Sequence, residues 1–176
     1  MRSEGMQVIE DGEQTIPLSS YVTTHGLALT RFAYLVCGNR SQAEDLVQEV
    51  YLSIYRRFGS QLPAGLPIAY ARTALVRAQL SLTRHRWFQA ERSSDQLPEA
   101  PAADPDPAES DQLWKLLDRL SHRQRCVLVL RYRYGCADAE IAETLGCRPA
   151  TVRSLAARAL TELRANTSIA ELGRNL

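Results

Sequence analysis

The chain has 176 residues, of which 45% are hydrophobic and 23% charged, with a formal net charge of +1. This is an ordinary globular composition, and length alone allows one domain or two small ones. No stretch approaches the roughly 20 apolar residues that span a bilayer, so no membrane insertion is expected. The opening segment Met1 to Pro17 is polar and acidic and lacks the apolar core of a signal peptide. A cytoplasmic location is the default. Cys37, Cys126, Cys136 and Cys147 form no C-x-x-C pair, which argues against a zinc ribbon or redox motif and for buried small side chains.

The small net charge hides a strong pattern. Residues 1–65 carry five basic and seven acidic groups, whereas residues 66–92 carry five and one. Residues 93–112 hold six acids and no base, and residues 113–165 hold ten bases and five acids. Two basic blocks thus flank an acidic one. Phosphate contact responds to local charge rather than to the sum, so nucleic acid is a candidate partner, although arginine-rich helices can also be simple solvated faces.

In chain order, Tyr21 to Val36 carries Leu27, Phe32, Leu35 and Val36 at helical spacing and stops at Gly38-Asn39. Ser41 and Glu44 read as a capping box for a helix to Phe58, with Leu46, Val47, Val50, Tyr51, Ile54 and Phe58 on one stripe. Gly59 to Gly65 reads as a loop, and Pro67 suits the first turn of a third helix. That helix should turn Ala71, Ala74, Leu75, Ala78 and Leu82 inward and Arg72, Gln79, Thr83 and Arg86 outward. No strand pattern is evident.

The segment SSDQLPEAPAADPDPAESD, Ser93 to Asp111, has four prolines and six acids. It cannot bury enough apolar surface to offset its ordering, so it reads as a flexible acidic linker that keeps its flanks apart. Beyond it, Leu113, Leu116, Leu117 and Leu120 suit a short amphipathic helix. Ser121 and Gln124 form a second capping box, opening a helix with Val127, Leu128, Leu130 and Tyr132 that ends at Gly135. Asp138 to Leu145, closed by Gly146, and a last helix from Pro149 with Val152, Leu155, Ala156, Ala159 and Leu163 inward complete the chain. The predicted fold is all-α: two small helical domains, 18–92 and 111–165, joined by a linker at 93–110 and flanked by an extension 1–17 and a tail 166–176.

The spacing AEIAETLGCRPATVRSLAARAL is a helix-turn-helix pattern. In that motif the second helix enters the major groove, leaving Arg148, Thr151, Arg153, Ser154, Ala157 and Arg158 toward DNA. An ordinary helical hairpin shares the spacing.

Together, SQAEDLVQEVYLSIYRRF, LSHRQRCVLVLRYRYG, AEIAETLGC and ATVRSLAARALTEL make the chain resemble the extracytoplasmic-function group of sigma factors, over about residues 18 to 165. The resemblance implies a factor that binds core RNA polymerase and directs promoter-specific initiation, reading −10 and −35 elements and helping to melt DNA. By that resemblance Asp45, Leu46, Gln48, Glu49 and Val50 serve polymerase binding. Gln61, Arg72, Arg77, Arg84, Arg86 and Trp87 serve the −10 element, and Arg148, Thr151, Arg153, Ser154, Ala157 and Arg158 serve the −35 element. Arg77 stands where the group commonly has Asn, and Ala137 where a capping Ser is usual. Core RNA polymerase, promoter DNA and an anti-sigma factor are the expected partners. No cofactor or metal is implied: His25, His85 and His122 lie far apart, and no phosphate-cradling loop or nucleophile motif occurs. The chain is not expected to be an enzyme.

Overall fold

A computed structural model describes residues 14–92 and 117–172, and side chains at 14–84 and 117–165. The linker expected at 93–110, Leu113, Leu116 and the side chains of Arg86 and Trp87 lie outside the described residues.

The N-terminal unit is built from helices α1 (Leu18–Cys37), α2 (Arg40–Phe58) and α3 (Ile68–Arg92). Their apolar stripes converge on one core, in which Phe32, Leu46, Ile54, Leu75 and Val76 are at most 1% exposed. The start of α2 differs from the expected Ser41–Glu44 capping box. Asn39 is extended and its side chain accepts from the Gln42 amide at 2.9 Å, so the helix begins before Ser41. Asn caps as well as Ser, and Glu44 pairs with Arg40 instead. Gln79 was expected outward but is 1% exposed, accepting a hydrogen bond from the Gln42 amide group at 3.4 Å. It follows Leu75 and Val76 by one helical turn, so it lies on the buried stripe despite its polarity. Leu27, counted as apolar stripe, is instead 68% exposed.

A small ribbon was also unforeseen. β1 (Thr15–Pro17) pairs antiparallel with β2 (Gln61–Pro63) in the loop between α2 and α3. Each strand has three residues, too few for alternation to show in the sequence.

The C-terminal unit holds a turn at 117–120, α4 (His122–Leu128), α5 (Asp138–Leu145) and α6 (Pro149–Leu172). Ser121 and Gln124 form the expected capping box, at 3.3 and 2.9 Å. The helix does not run unbroken toward Gly135. It widens into a π turn at Val129–Arg133, and Tyr132 is 61% exposed rather than on the apolar face. The final helix continues to Leu172, past the boundary placed at 165.

The largest departure is that the two units are packed together rather than held apart. Arg125 of α4 is 4% exposed, and its guanidinium donates to the carbonyls of Leu117, Asp118 and Leu120 at 3.1–3.3 Å. It also donates to the Val36 carbonyl at the end of α1, at 3.1 Å. A buried cation needs such partners, because leaving one unpaired costs several kcal/mol. The acidic linker fixes only chain connectivity, whereas the contacts available to the folded faces decide their distance. We predict that Arg125→Leu destabilises the protein by about 3 kcal/mol, since buried carbonyls lose a charged donor. Urea unfolding of both proteins checks this, and a loss below about 0.5 kcal/mol would contradict it.

Candidate functional site

Three surfaces gather the residues singled out by the sequence. The first is the outer face of α2. Asp45, Gln48 and Glu49 are exposed there, one helical turn apart on the side away from the core. Leu46 and Val50 are not part of that face. They are 1% and 2% exposed and sit in the core, because a 3.6-residue period turns them inward. This matches the supporting place on the apolar stripe that helical spacing gives them. The face continues instead into Leu52 and Tyr55, at 53% and 52% exposure. Sequence reading missed both, although they follow Gln48, Glu49 and Leu52 at helical steps. The signal was two large apolar side chains on a polar stripe.

The second surface is the loop between α2 and α3 with the adjoining face of α3. Gln61 is exposed on β2, and Arg84 is exposed farther along α3. Arg72 is half-buried against the C-terminal unit, and Arg77 is exposed while also bonding to that unit. The Arg72 guanidinium lies 4.0 Å from the centroid of the Tyr134 ring, an attractive placement of a cation on a π face. Tyr134 also meets Phe32 edge-to-face at 5.1 Å. Arg77 donates to the carbonyls of Glu143 and Thr144, at 3.2 and 3.4 Å, at the end of α5. Thr73 and Thr144 hydroxyls lie 3.5 Å apart beside it. The C-terminal unit thus occupies part of the face assigned to −10 DNA.

The third surface is α6. Gly146 takes the left-handed conformation, φ 61°, that ends α5, and its short turn leads to Pro149. Val152, Ala156 and Ala159 are at most 1% exposed and fasten α6 to its unit. Arg148, Thr151, Arg153, Ser154, Ala157 and Arg158 are all exposed. Ala137 offers no side-chain cap to α5, but the Glu140 carboxylate accepts from its amide at 2.7 Å, and Asp138 adds negative charge at the positive helix end. Asp138 also accepts from Arg131 and lies 3.9 Å from Arg153. That hydrogen bond raises the Arg131 pKa above its ordinary value.

Cys126 is fully buried, and burial pushes its thiol up to about 12. Burial likewise raises Cys37 and Cys136. Thiols held protonated are poor nucleophiles. Among the described residues, no three His, Cys, Asp or Glu side chains are placed to hold a metal ion. No described helix is long and apolar enough to cross a membrane.

The chain matches the family models for Sigma-70 region 2 at residues 21–89 and Sigma-70 region 4 at residues 110–163. It is 31% identical over 157 residues to the RNA polymerase sigma-E factor of Streptomyces coelicolor, covering 86% of each chain. It is 30% identical over 151 residues to the ECF RNA polymerase sigma factor SigE of Mycolicibacterium smegmatis, covering 81% of this chain and 58% of that one. Among solved structures, it is similar to the sigma factor RpoE bound to the anti-sigma factor NepR from Bartonella quintana. That TM-score is 0.63 at 24% identity, covering 86% of this chain and 96% of that one, a likeness of fold. The Mycobacterium tuberculosis extracytoplasmic function sigma factor SigJ matches with TM-score 0.57 and 28% identity, covering 82% of this chain and 52% of that one.

The contact between units generates a prediction. Replacing Tyr134 by Ala removes the ring shared by Phe32 and Arg72, worth about 1 kcal/mol or more. Combined with Arg77→Ala, it should raise the radius of gyration in small-angle scattering while the far-ultraviolet helical signal stays. Scattering identical to that of the unchanged protein would mean that these contacts do not hold the units together.

Proposed function

The chain belongs to the extracytoplasmic-function group of RNA polymerase sigma factors, and from that premise we propose which of its surfaces carries each part of initiation. It is a promoter-specificity factor for core RNA polymerase and not an enzyme. The exposed stripe Asp45, Gln48, Glu49, Leu52 and Tyr55 docks on the polymerase: its apolar members are desolvated, while its acids and amide fix the register. Gln61, Arg72, Arg77, Arg84, Arg86 and Trp87 meet the −10 element. The arginines hold phosphates, and Trp87 supports strand separation by stacking on an exposed base.

Arg148, Thr151, Arg153, Ser154, Ala157 and Arg158 meet the −35 element in the major groove. The observation that carries this reading is α6 itself, with every one of these six residues exposed while Val152, Ala156 and Ala159 are buried. Residues 18–92 and 111–165 act as the two reading units. Arg72 and Arg77 face the C-terminal unit in this arrangement, so promoter engagement requires the units to separate. The protein works in the cytoplasm beside polymerase and DNA. An anti-sigma factor is a further partner, as it is for the RpoE of Bartonella quintana. Run-off transcription with core polymerase and promoter fragments tests the reading, and absence of promoter-selective transcripts would overturn it.

Two substitution series test the assignments. Asp45→Arg with Glu49→Arg, or Leu52→Asp alone, should weaken core polymerase binding about tenfold or more with helical content unchanged; equal affinity would remove α2 from the interface. Arg153→Ala should reorder −35 variants, a guanine contact being worth about 1–3 kcal/mol of discrimination. Arg158→Ala should lower output on all of them, with a salt slope smaller by about one. If neither changes output or ranking in transcription, α6 does not read DNA.

A further inference from the structure

We infer that residues 14–18 are a strap that fixes the register of β2 and presents Gln61 outward, making the segment before the first helix a determinant of −10 specificity. This deepens the reading of the loop after α2 as a −10 element contact and rests on it.

The register carries the argument. Thr15, Ile16 and Pro17 oppose Pro63, Leu62 and Gln61. Backbone hydrogen bonds close the ribbon on both sides: the Leu18 amide donates to the Ser60 carbonyl at 3.0 Å, and the Ala64 amide donates to the Gln14 carbonyl at 2.8 Å. In an antiparallel pair, hydrogen-bonded and non-hydrogen-bonded positions alternate. Residues 60, 62 and 64 therefore aim their backbone groups at the strap, while 61 and 63 aim theirs away from it. Pro17 and Pro63 both fall at positions facing away, where a missing N–H breaks no ladder bond. On β2 this leaves the Gln61 amide and carbonyl on the outer edge, with an exposed side chain.

The loop is fixed at its ends as well. Leu62 is fully buried, whereas Gln61 beside it is exposed, so a slip of one residue would bury Gln61 and expose Leu62. Gly59 enters the ribbon with φ 77° and ψ −154°, a conformation that L side chains rarely adopt. The Tyr21 hydroxyl, on a fully buried side chain of α1, donates to the Pro67 carbonyl at 3.4 Å. Phe58 and Tyr70 meet edge-to-face across the loop base at 5.8 Å. β1 runs directly into α1 through Pro17, so the strap moves with the core. An unpaired base offers donors and acceptors along one edge, and the Gln61 backbone and side-chain amides together can match them. Holding them in place before DNA arrives removes an ordering cost from recognition.

The test uses the full chain in holoenzyme with three variants: deletion of residues 1–16, Ile16→Pro, and Ile16→Val as the conservative control. Gln61→Ala reports on the loop itself. The readout is the ranking of −10 base substitutions in run-off transcription, with core polymerase affinity and −35 ranking measured alongside. The deletion and Ile16→Pro should reduce −10 discrimination about tenfold, comparable to the cost of re-ordering one loop residue. Polymerase affinity and −35 ranking should stay as in the unchanged protein, and Ile16→Val should discriminate normally. If Gln61→Ala alters the −10 ranking and the strap variants do not, the strap inference fails while the loop reading stands. If Gln61→Ala also changes nothing, both fall. Parallel loss of polymerase affinity in the strap variants would mark residues 14–18 as general scaffold and overturn the inference.

Discussion

The arrangement of the two units depends on arginines that serve the ends of each other's helices. The last carbonyls of a helix have no partner within it and carry partial negative charge. Arg125 of the C-terminal unit reaches Val36 in the last turn of α1, and Arg77 of the N-terminal unit reaches Glu143 and Thr144 in the last turn of α5. Arg123 adds a bond to Leu145 within its own unit, at 3.0 Å. Arg125 is the demanding member. Burial lowers its pKa from the ordinary guanidinium value, with the Asp118 carboxylate opposing the shift, and its stability in place comes from several carbonyls acting together. Directional donors of this kind permit one orientation of the units, where an apolar face would tolerate several.

The named contacts between the units are mostly polar. Apart from Phe32 against Tyr134, the contacts named across the boundary are polar or charged. Water can replace Arg77 at the exposed Glu143 carbonyl at little net cost, whereas the Arg125 bond to Val36 is buried. The buried apolar residues form one cluster that runs through both units, from Phe32 and Leu75 to Val127 and Ile141. The helix face that carries Arg72, Thr73 and Arg77 meets the C-terminal unit through Tyr134, Thr144 and the carbonyls at the end of α5.

Much of this was legible in the sequence where local chemistry decides. The Ser121–Gln124 box, the Gly146 turn and the outward set on α6 follow from propensity and period, and the structure has them in place. Other features depend on partners distant in the chain. β1 exists because Gln61–Pro63 lies opposite it, and three residues give no period to read. Gln79 lies on the buried stripe, and the group that satisfies its amide there, Gln42, is 37 residues away. Leu46 and Val50 follow from helical period, which puts them on the apolar stripe where the structure buries them, and the same period puts Leu52 and Tyr55 on the outer face. The packing of the units was illegible for the same reason, since the linker's composition says nothing of what Arg125 will find.

Asp138 shows how structure can rank arginines that sequence leaves equal. Its carboxylate is shared: Arg131 makes a direct hydrogen bond to one oxygen, while Arg153 lies 3.9 Å from the other with its side chain 64% exposed. The first bond joins the π turn to the start of α5, and its loss would loosen the element on which α6 rests. The second is a long, solvated ion pair, and such pairs contribute about 0–1 kcal/mol. Arg153 can therefore leave this pair at small cost, which fits the base contact proposed for it. Arg158 has no such tether among the described ion pairs. A guanidinium without a set direction suits a phosphate, which accepts from many angles, better than a base edge, which does not.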